Sequence, residues 1–156
     1  MKKQSVILSG ILIYAILFLV PHYSNASVRT IDLEGYDSMK FSVTEIKASP
    51  GDSLHITLTT VSQLPASAFM SHNWVLLKKD TDVQAFVNAS VKAKDNGYIA
   101  PGKTDAIIAY TRLAAKGETT KTTFTVPSEP GKYTYVCTFP GHYAGGMKGV
   151  LIVTEE

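Results

Sequence analysis

After the first 26 residues, the chain consists of short segments in which apolar and polar residues alternate. This alternation, with many β-branched and aromatic residues, is typical of half-buried β-strands. Turn signals such as Lys116-Gly117 and Glu129-Pro130-Gly131 separate the segments. The pattern predicts an all-β fold, a two-sheet antiparallel Greek-key β-sandwich. The predicted strands are 27–33, 39–46, 53–60, 74–78, 105–112, 119–126, 131–138 and 148–154.

One segment, 80–95, departs from the alternation of the strands. Val83, Phe86, Val87 and Val91 follow one another at intervals of three or four residues, which is the period of one helix face. Thr81-Asp82 offers a residue of the type that begins helices. We therefore expect a short helical flap around 80–95, inserted between strands and covering one edge of the sandwich.

The first 26 residues have the layout of a signal peptide. Lys2 and Lys3 precede an almost wholly apolar run at 6–20, which is shorter than the roughly 20 residues of a membrane-spanning helix. Small residues at Ser24-Asn25-Ala26 favour cleavage after Ala26 over a retained membrane anchor. We therefore expect residues 1–26 to direct export, to the periplasm or the outer face of the cytoplasmic membrane, and residues 27–156 to form one domain.

The predicted domain is close to electrically neutral. The chain has 15 Lys and Arg against 13 Asp and Glu, and Lys2 and Lys3 account for the whole excess. No basic stripe or run of like charges is present in the sequence, so the charge pattern gives no support to binding of nucleic acid or of an anionic membrane surface. We expect the domain to be a monomer and its partners to dock through shape and apolar contact.

Cys137 is the single cysteine of the chain. An exported protein ordinarily uses paired cysteines as cross-links, so an odd thiol suggests either an inert buried residue or a metal ligand. In the segment 131–138, Tyr133, Tyr135 and Cys137 lie on one face because side chains alternate along a strand. That face is expected to point into the sandwich and to place Cys137 at one end of its core.

The residues after Cys137 favour the metal-ligand interpretation. A thiol, an imidazole and a thioether, those of Cys137, His142 and Met147, fall within eleven residues. Two histidines and one cysteine with a weak axial methionine are the ligands of electron-transfer copper sites. The second histidine ligand would have to be His55 or His72, the two other histidines of the predicted domain. His72 is the better candidate because His55 lies in the middle of a predicted strand.

Two separated motifs make the chain resemble the azurins and auracyanins, which are blue (type 1) copper proteins of the cupredoxin family. They are Ser71-His72-Asn73-Trp74-Val75-Leu76 and Cys137-Thr138-Phe139-Pro140-Gly141-His142. Looser matches are Tyr98-Ile99-Ala100-Pro101 and Ile107-Ile108-Ala109-Tyr110-Thr111. The resemblance extends over about 28–153, which is almost all of the predicted domain.

The resemblance implies one copper ion held by His72, Cys137, His142 and Met147. It also implies that the Ser71 carbonyl lies on the second axial side, that Asn73 braces the two ligand loops, and that the Phe139 backbone N–H approaches the sulfur. The chain departs from azurin in having four residues, 143–146, between His142 and Met147, a spacing similar to that of the auracyanins, and in lacking a second cysteine for a disulfide.

The function implied by the resemblance is electron transport, by cycling one copper between Cu(II) and Cu(I). The implied partners are exported redox proteins such as a c-type cytochrome, a quinol-oxidising complex, a terminal oxidase or a nitrite reductase. His142 is expected to pass the electron through a rim formed by 143–146, and Trp74 to anchor the core. Two alternatives are an enzyme with a Cys and His pair and a copper carrier or store without redox cycling. The soft, enclosed ligand set favours the electron carrier.

Overall fold

The computed structural model describes residues 27–65 and 70–154, so the predicted signal peptide lies outside the described residues. None of the helices in these two ranges has the length and apolar character needed to cross a membrane. The strands are β1 (Val28–Tyr36), β2 (Lys40–Phe41), β3 (Glu45–Ala48), β4 (Ser53–Val61), β5 (Ser71–His72), β6 (Val75–Leu77), β7 (Ile107–Tyr110), β8 (Ala114–Ala115), β9 (Thr119–Thr125), β10 (Gly131–Val136) and β11 (Lys148–Val153). The α-helix is α1 (Val83–Ser90), and 3-10 turns occupy Lys94–Asn96 and Pro101–Ala106.

The strands form two main sheets that face each other across an apolar core. One sheet has the order β2-β1-β4-β9 and the other β3-β11-β10-β6-β7, while β5 and β8 make a separate two-stranded ladder. The predicted all-β sandwich is confirmed. The prediction that the sheets are purely antiparallel is wrong. Both sheets are mixed, because β1 pairs with β4 in parallel and β3 pairs with β11 in parallel.

The parallel pairing follows from the path of the chain between β1 and β4. The segment 39–46, predicted as one strand, is divided between the sheets: Phe41 pairs with Gly35 in the first sheet, and Ile46 pairs with Leu151 in the second. The chain thus crosses to the opposite sheet before it returns as β4. Neighbouring strands joined by such a crossover can run in the same direction, whereas a tight hairpin would make them antiparallel.

Side-chain alternation places the core as the sequence predicts. In β4, Leu54, Ile56 and Leu58 are fully buried, whereas His55 between them is exposed. Trp74 is also fully buried, with its ring centroid 5.4 Å from that of Tyr135. The expectation that Trp74 anchors the core is confirmed, and His55, in the middle of β4, lies on the surface.

The helical flap predicted around 80–95 is present as α1. Asp82 caps it, because its side chain accepts a hydrogen bond from the Ala85 amide at 2.9 Å. Phe86 and Val87 of α1 are buried in a second apolar cluster, together with Val75 and Val136 of the sheet containing β10. The helix therefore covers a face of this sheet, whereas the sequence predicted that it would cover an edge of the sandwich.

Asp52 joins the start of β1 to the turn before β4. Its Oδ1 accepts hydrogen bonds from the Ser27 amide at 2.8 Å and the Ser27 hydroxyl at 2.9 Å, and its Oδ2 accepts one from the Ser49 amide at 3.0 Å. These donors, the Ser27 amide first among them, lower the pKa of Asp52 from its ordinary value of 3.8 although burial opposes them. The ionised carboxylate therefore stabilises the fold.

The stabilisation by Asp52 is expected to depend on pH. A lowered folded-state pKa contributes stability that is fully present above the unfolded-state pKa and is lost as pH falls through the folded-state pKa. At neutral pH, Asp52→Asn should lower the free energy of unfolding by about 1–3 kcal/mol, since buried hydrogen bonds to a charged acceptor are weakened. Urea unfolding between about pH 7 and pH 2 should show this difference shrinking as the wild-type carboxylate is protonated.

A matched control for Asp52 is Asp32→Asn, because Asp32 is an exposed aspartate of β1. This substitution removes the same charge without removing the hydrogen bonds at Asp52. A loss of stability in Asp52→Asn that stays constant down to the lowest pH, or an equal loss in Asp32→Asn, would contradict the role assigned to the ionised Asp52 carboxylate.

Candidate metal centre

Strand β10 delivers Cys137 to one end of the core. Tyr133 and Tyr135 are buried on the same face of β10, and Cys137, directly after the strand, is fully buried as well. The Cys137 amide donates to the Met147 carbonyl at 3.1 Å, which closes the loop between β10 and β11. The predicted inward orientation of this face is confirmed.

The loop from Cys137 to Met147 is a compact succession of turns. The His142 amide donates to the Phe139 carbonyl at 3.1 Å, and the Met147 amide donates to the His142 carbonyl at 2.9 Å. Gly141 and Gly146 have φ values of 85° and 93°, a region that residues with a Cβ rarely adopt. These two glycines allow the chain to fold back so that His142 and Met147 are both buried beside Cys137.

The second imidazole comes from β5, on the other side of the sandwich end. His72 pairs with Ala114 of β8 and is fully buried. Its Nδ1 lies 3.1 Å from Nδ1 of His142, which in turn lies 3.4 Å from Sγ of Cys137. The donor atoms of these three residues all lie within 4.8 Å of one another. The two hydrogen-bond distances fit donors that share one ion, since ligands about 2.0–2.3 Å from a common metal lie roughly 3–4.5 Å apart.

Met147 lies on the same side of the cluster as the His72 ring. A Cβ placed on Gly35 would be 2.8 Å from Cδ2 of His72 and 3.0 Å from Cε of Met147, so both side chains pack against Gly35. Met147 is fully buried. The structure therefore brings all four sequence-predicted residues to one buried place, while His55 is exposed on β4.

Burial keeps the donor groups uncharged in the absence of a metal. It lowers the pKa of His72 and of His142 to about 4, so both imidazoles are neutral at neutral pH. Burial also raises the pKa of Cys137 to about 12, and the backbone amides of Asn73 and Phe139 act in the opposite direction. A cation would find two neutral imidazoles there and a thiol that loses its proton when it binds metal.

Asn73 ties the β5 side of the site to the cysteine loop. Its Oδ1 accepts a hydrogen bond from the Thr138 amide at 2.9 Å, and its Nδ2 donates to the Thr138 hydroxyl at 2.8 Å. Both side chains are fully buried. Because these residues directly follow His72 and Cys137, the bonds fix the two ligand-bearing segments relative to each other, as the resemblance implied for Asn73.

The residues of the β1–β2 region that support the site were not predicted from the sequence. Gly35 packs against His72, and the Lys40 ammonium donates to the Gly145 carbonyl at 2.9 Å. Met39 adjoins Gly145, where an added Cβ would approach Met39 Sδ. These contacts join residues far apart in the sequence, by 105 positions for Lys40 and Gly145, and no local pattern signals them. Only the β-strand on either side of the 37–39 turn was predictable.

The donor set is that of a copper site, and comparison with known proteins agrees. Residues 28–154 match the sequence model of a family described as copper binding proteins, plastocyanin/azurin family. The chain belongs to this family. Since the neutral imidazoles, the enclosed thiol and the buried thioether are the ligand types that copper sites of this kind use, the residues present fit copper, which is the cofactor of this plastocyanin/azurin family member.

Two relatives in the family share about two fifths of their aligned residues with this chain. Azurin-1 of Alcaligenes xylosoxydans xylosoxydans is 40% identical over 131 residues, which cover 81% of this chain and 98% of that protein. Auracyanin-B of Chloroflexus aurantiacus is 39% identical over 123 residues, which cover 70% of this chain. The matched part is 51% of auracyanin-B, so the chain spans about half the length of that relative.

Solved auracyanin structures share the fold. Reduced auracyanin from Roseiflexus castenholzii is 32% identical with a TM-score of 0.71, and the match covers 84% of this chain and all of that one. Auracyanin A from Chloroflexus aurantiacus, described as a "blue" copper protein, is also 32% identical with a TM-score of 0.71, over 82% of this chain and all of that one. The cupredoxin-like sandwich predicted from the sequence is thereby confirmed.

Proposed function

We propose that His72, Cys137, His142 and Met147 hold one copper ion and that the protein carries single electrons between redox partners. The observation that carries this proposal is the burial of two neutral imidazoles and one thiol with their donor atoms within 4.8 Å of one another. Copper, when bound, supplies a one-electron couple between Cu(II) and Cu(I). No substrate pocket is required of such a protein, and an enzymatic activity is not part of the proposal.

The protein residues contribute enclosure and rigidity. His72, Cys137 and Met147 are fully buried, and His142 is only 3% exposed, so water has little access to the donor atoms. The Asn73 and Thr138 hydrogen bonds keep the segments of His72 and Cys137 at a fixed separation. A site whose donors cannot move far has little to rearrange when its charge changes by one, which favours fast electron exchange.

Electron exchange is proposed to occur through the loop around His142. Gly141, Ala144 and Gly145 of this loop are exposed, which brings His142 close to the surface. Lys40 donates to the Gly145 carbonyl, and the Lys148 ammonium lies 5.3 Å from the centroid of the Tyr143 ring. The rim is thus small and largely apolar, with two cations beside it.

The proposed partners are exported redox proteins. A c-type cytochrome, a quinol-oxidising complex, a terminal oxidase and a nitrite reductase are the candidates that the family resemblance supplies. An exported location is proposed from the composition of residues 1–26, and a membrane attachment would require that segment to be retained. Shape and apolar contact at the loop rim are proposed to determine docking.

Repeated redox cycling in the presence of a Cu(I) chelator tests the proposed function. The copper-loaded domain is reduced with ascorbate and reoxidised with ferricyanide over several cycles, and copper in the chelator is measured after each cycle. An electron carrier should lose its colour and regain it fully, with little copper transferred. A carrier of copper should transfer its metal to the chelator on reduction, and that result would contradict the proposal.

His55→Ala is the matched control for the cycling experiment. His55 is an exposed histidine on β4, away from the ligand loop, and its removal eliminates a surface histidine that can bind added copper loosely. The variant should cycle as the wild type does. A loss of cycling in this variant would show that the measured signal comes from surface copper.

Gly35→Ala should disturb the site directly. The new Cβ would be 2.8 Å from Cδ2 and 2.9 Å from Cγ of His72, and 3.0 Å from Cε of Met147, so the imidazole and the thioether must shift. Overpacking of this kind typically costs about 1–3 kcal/mol. Urea unfolding should show that loss, and the visible spectrum of the copper-loaded variant should differ from that of the wild type.

Gly102→Ala provides the control for Gly35→Ala. An added Cβ at Gly102 meets no atom within 4 Å, and the residue has no positive φ. The stability and spectrum of this variant should match those of the wild type. An unchanged spectrum in Gly35→Ala would contradict the close packing of His72 and Met147 on β1.

A further inference from the structure

The turn between β1 and β2 ends in a methionine with an unusual backbone conformation. Tyr36 pairs with Lys40 across this turn, and the Met39 amide donates to the Tyr36 carbonyl at 2.9 Å. Met39 has a φ of 56°, in the left-handed region that closes three-residue hairpin loops and that glycine adopts most readily. A methionine there costs more conformational energy than glycine, so we looked for a role of its side chain.

The side chains of Met39 and Lys40 lie against the two glycines that precede Met147. A Cβ added to Gly145 would be 2.6 Å from Met39 Sδ and 3.1 Å from Met39 Cβ, which is closer than an ordinary contact. A Cβ added to Gly146 would collide with Lys40 Nζ. Two consecutive residues of the turn therefore occupy the space that side chains at positions 145 and 146 would need.

Lys40 also bonds to the backbone of the segment 143–146. Its ammonium donates to the Gly145 carbonyl at 2.9 Å. The other hydrogen bonds of this segment stay within the ligand loop: the Gly145 amide donates to the Gly141 carbonyl, and the Gly146 amide donates to the Tyr143 carbonyl, both at 2.9 Å. Among the described residues, Lys40 thus supplies the hydrogen bond that ties 143–146 to a distant part of the chain.

We propose that Met39 and Lys40 are positioning residues, which clasp the segment 143–146 and thereby set the place of Met147. Met147 directly follows this segment and is fully buried, so a shift of the Gly145 carbonyl would be passed on to the thioether. The thioether is the weak axial ligand of the proposed copper site, and the axial ligand tunes such a site. The consequence at copper rests on the proposed function, whereas the clasp itself is a property of the copper-free protein.

Amide hydrogen exchange of the copper-free protein tests the clasp. Lys40→Met removes the ammonium but keeps a long side chain, and the Gly145 and Met147 amides should exchange about fivefold faster in it, the change expected from loss of one exposed hydrogen bond. Lys40→Arg can still donate to the Gly145 carbonyl and should restore slow exchange. Met39→Gly should also speed exchange, although glycine suits the backbone at this position. Unchanged exchange in Lys40→Met or in Met39→Gly would overturn the inference.

The visible spectrum of the copper-loaded protein tests the effect on Met147, because the absorption bands depend on the geometry of the ligands around Cu(II). Lys40→Met should shift these bands, and Lys40→Arg should restore them. Lys148→Met is the matched control, since it removes an exposed cation that lies 5.3 Å from the centroid of the Tyr143 ring and leaves the Gly145 hydrogen bond in place.

The control separates positioning from charge. Lys148→Met removes the same charge beside the same loop, so an equal spectral change in both variants would overturn the positioning of Met147. An unchanged spectrum in Lys40→Met would overturn it as well. A wild-type protein that binds no copper would contradict the proposed function alone, because amide exchange in the copper-free protein still decides whether Met39 and Lys40 hold the loop.

Discussion

Replacement of Cys137 by serine is expected to abolish the intense visible absorption of the copper-loaded protein. That absorption requires charge transfer from a thiolate to Cu(II), and Cys137 is the single thiol of the chain. A serine hydroxyl is a much poorer donor for copper, so Cu(II) should also bind more weakly. The visible spectrum during titration with Cu(II), recorded for both proteins, measures the effect.

The fold should survive the Cys137→Ser change, because the substitution replaces sulfur by a smaller atom at one buried position. Thr134→Ser, on β10 and partly exposed, is a suitable control and should retain full colour. If colour persists in a folded Cys137→Ser protein, the thiol is not a copper ligand and the proposed site is wrong.

Asn73→Ala is expected to cause the largest loss of stability among single substitutions near the site. It removes every hydrogen bond between the Asn73 side chain and Thr138, and it leaves the buried Thr138 amide without its partner. Each buried polar group left unsatisfied costs about 1–3 kcal/mol. We expect a loss of about 2–4 kcal/mol, a large part of the roughly 5–15 kcal/mol that stabilises a typical domain.

Urea unfolding of the copper-free protein measures the effect of Asn73→Ala without the contribution of metal binding. Asn88→Ala is the matched control, because Asn88 is an exposed asparagine on α1 that bonds only to Gln84 among the described side chains. A double-mutant cycle with Thr138→Ala should give a coupling free energy well above zero, since the two side chains contact each other. If the losses of stability in the two single variants simply add up in the double variant, the proposed role of the contact between Asn73 and Thr138 is wrong.

Most of the fold was predictable because strand alternation depends on local sequence. The core positions of β4 and β10 followed directly from the period of two, and the helical period around Phe86 predicted α1. The division of 39–46 between two sheets was not predictable in the same way. It arises because Phe41 and Ile46 find partners in opposite sheets, and such pairing depends on strands far away in the sequence.

The candidate site also has residues that could be predicted from the sequence and residues that could not. One short loop contains Cys137, His142 and Met147, so the sequence alone indicates a metal site there. His72 could be chosen over His55 because it lies at the start of a strand. Gly35 carries no such signal. Its importance depends on its packing against His72, which only the three-dimensional structure reveals.

A reductive titration of the copper-loaded domain tests the central claim most directly. The protein is loaded with Cu(II), its copper content is determined, and the visible absorption is followed as electrons are added one equivalent at a time. The account predicts one copper per chain, an intense thiolate-to-copper band that disappears after one electron per copper, and full recovery on reoxidation. A protein that stays colourless with Cu(II), or a band that does not return, would contradict it.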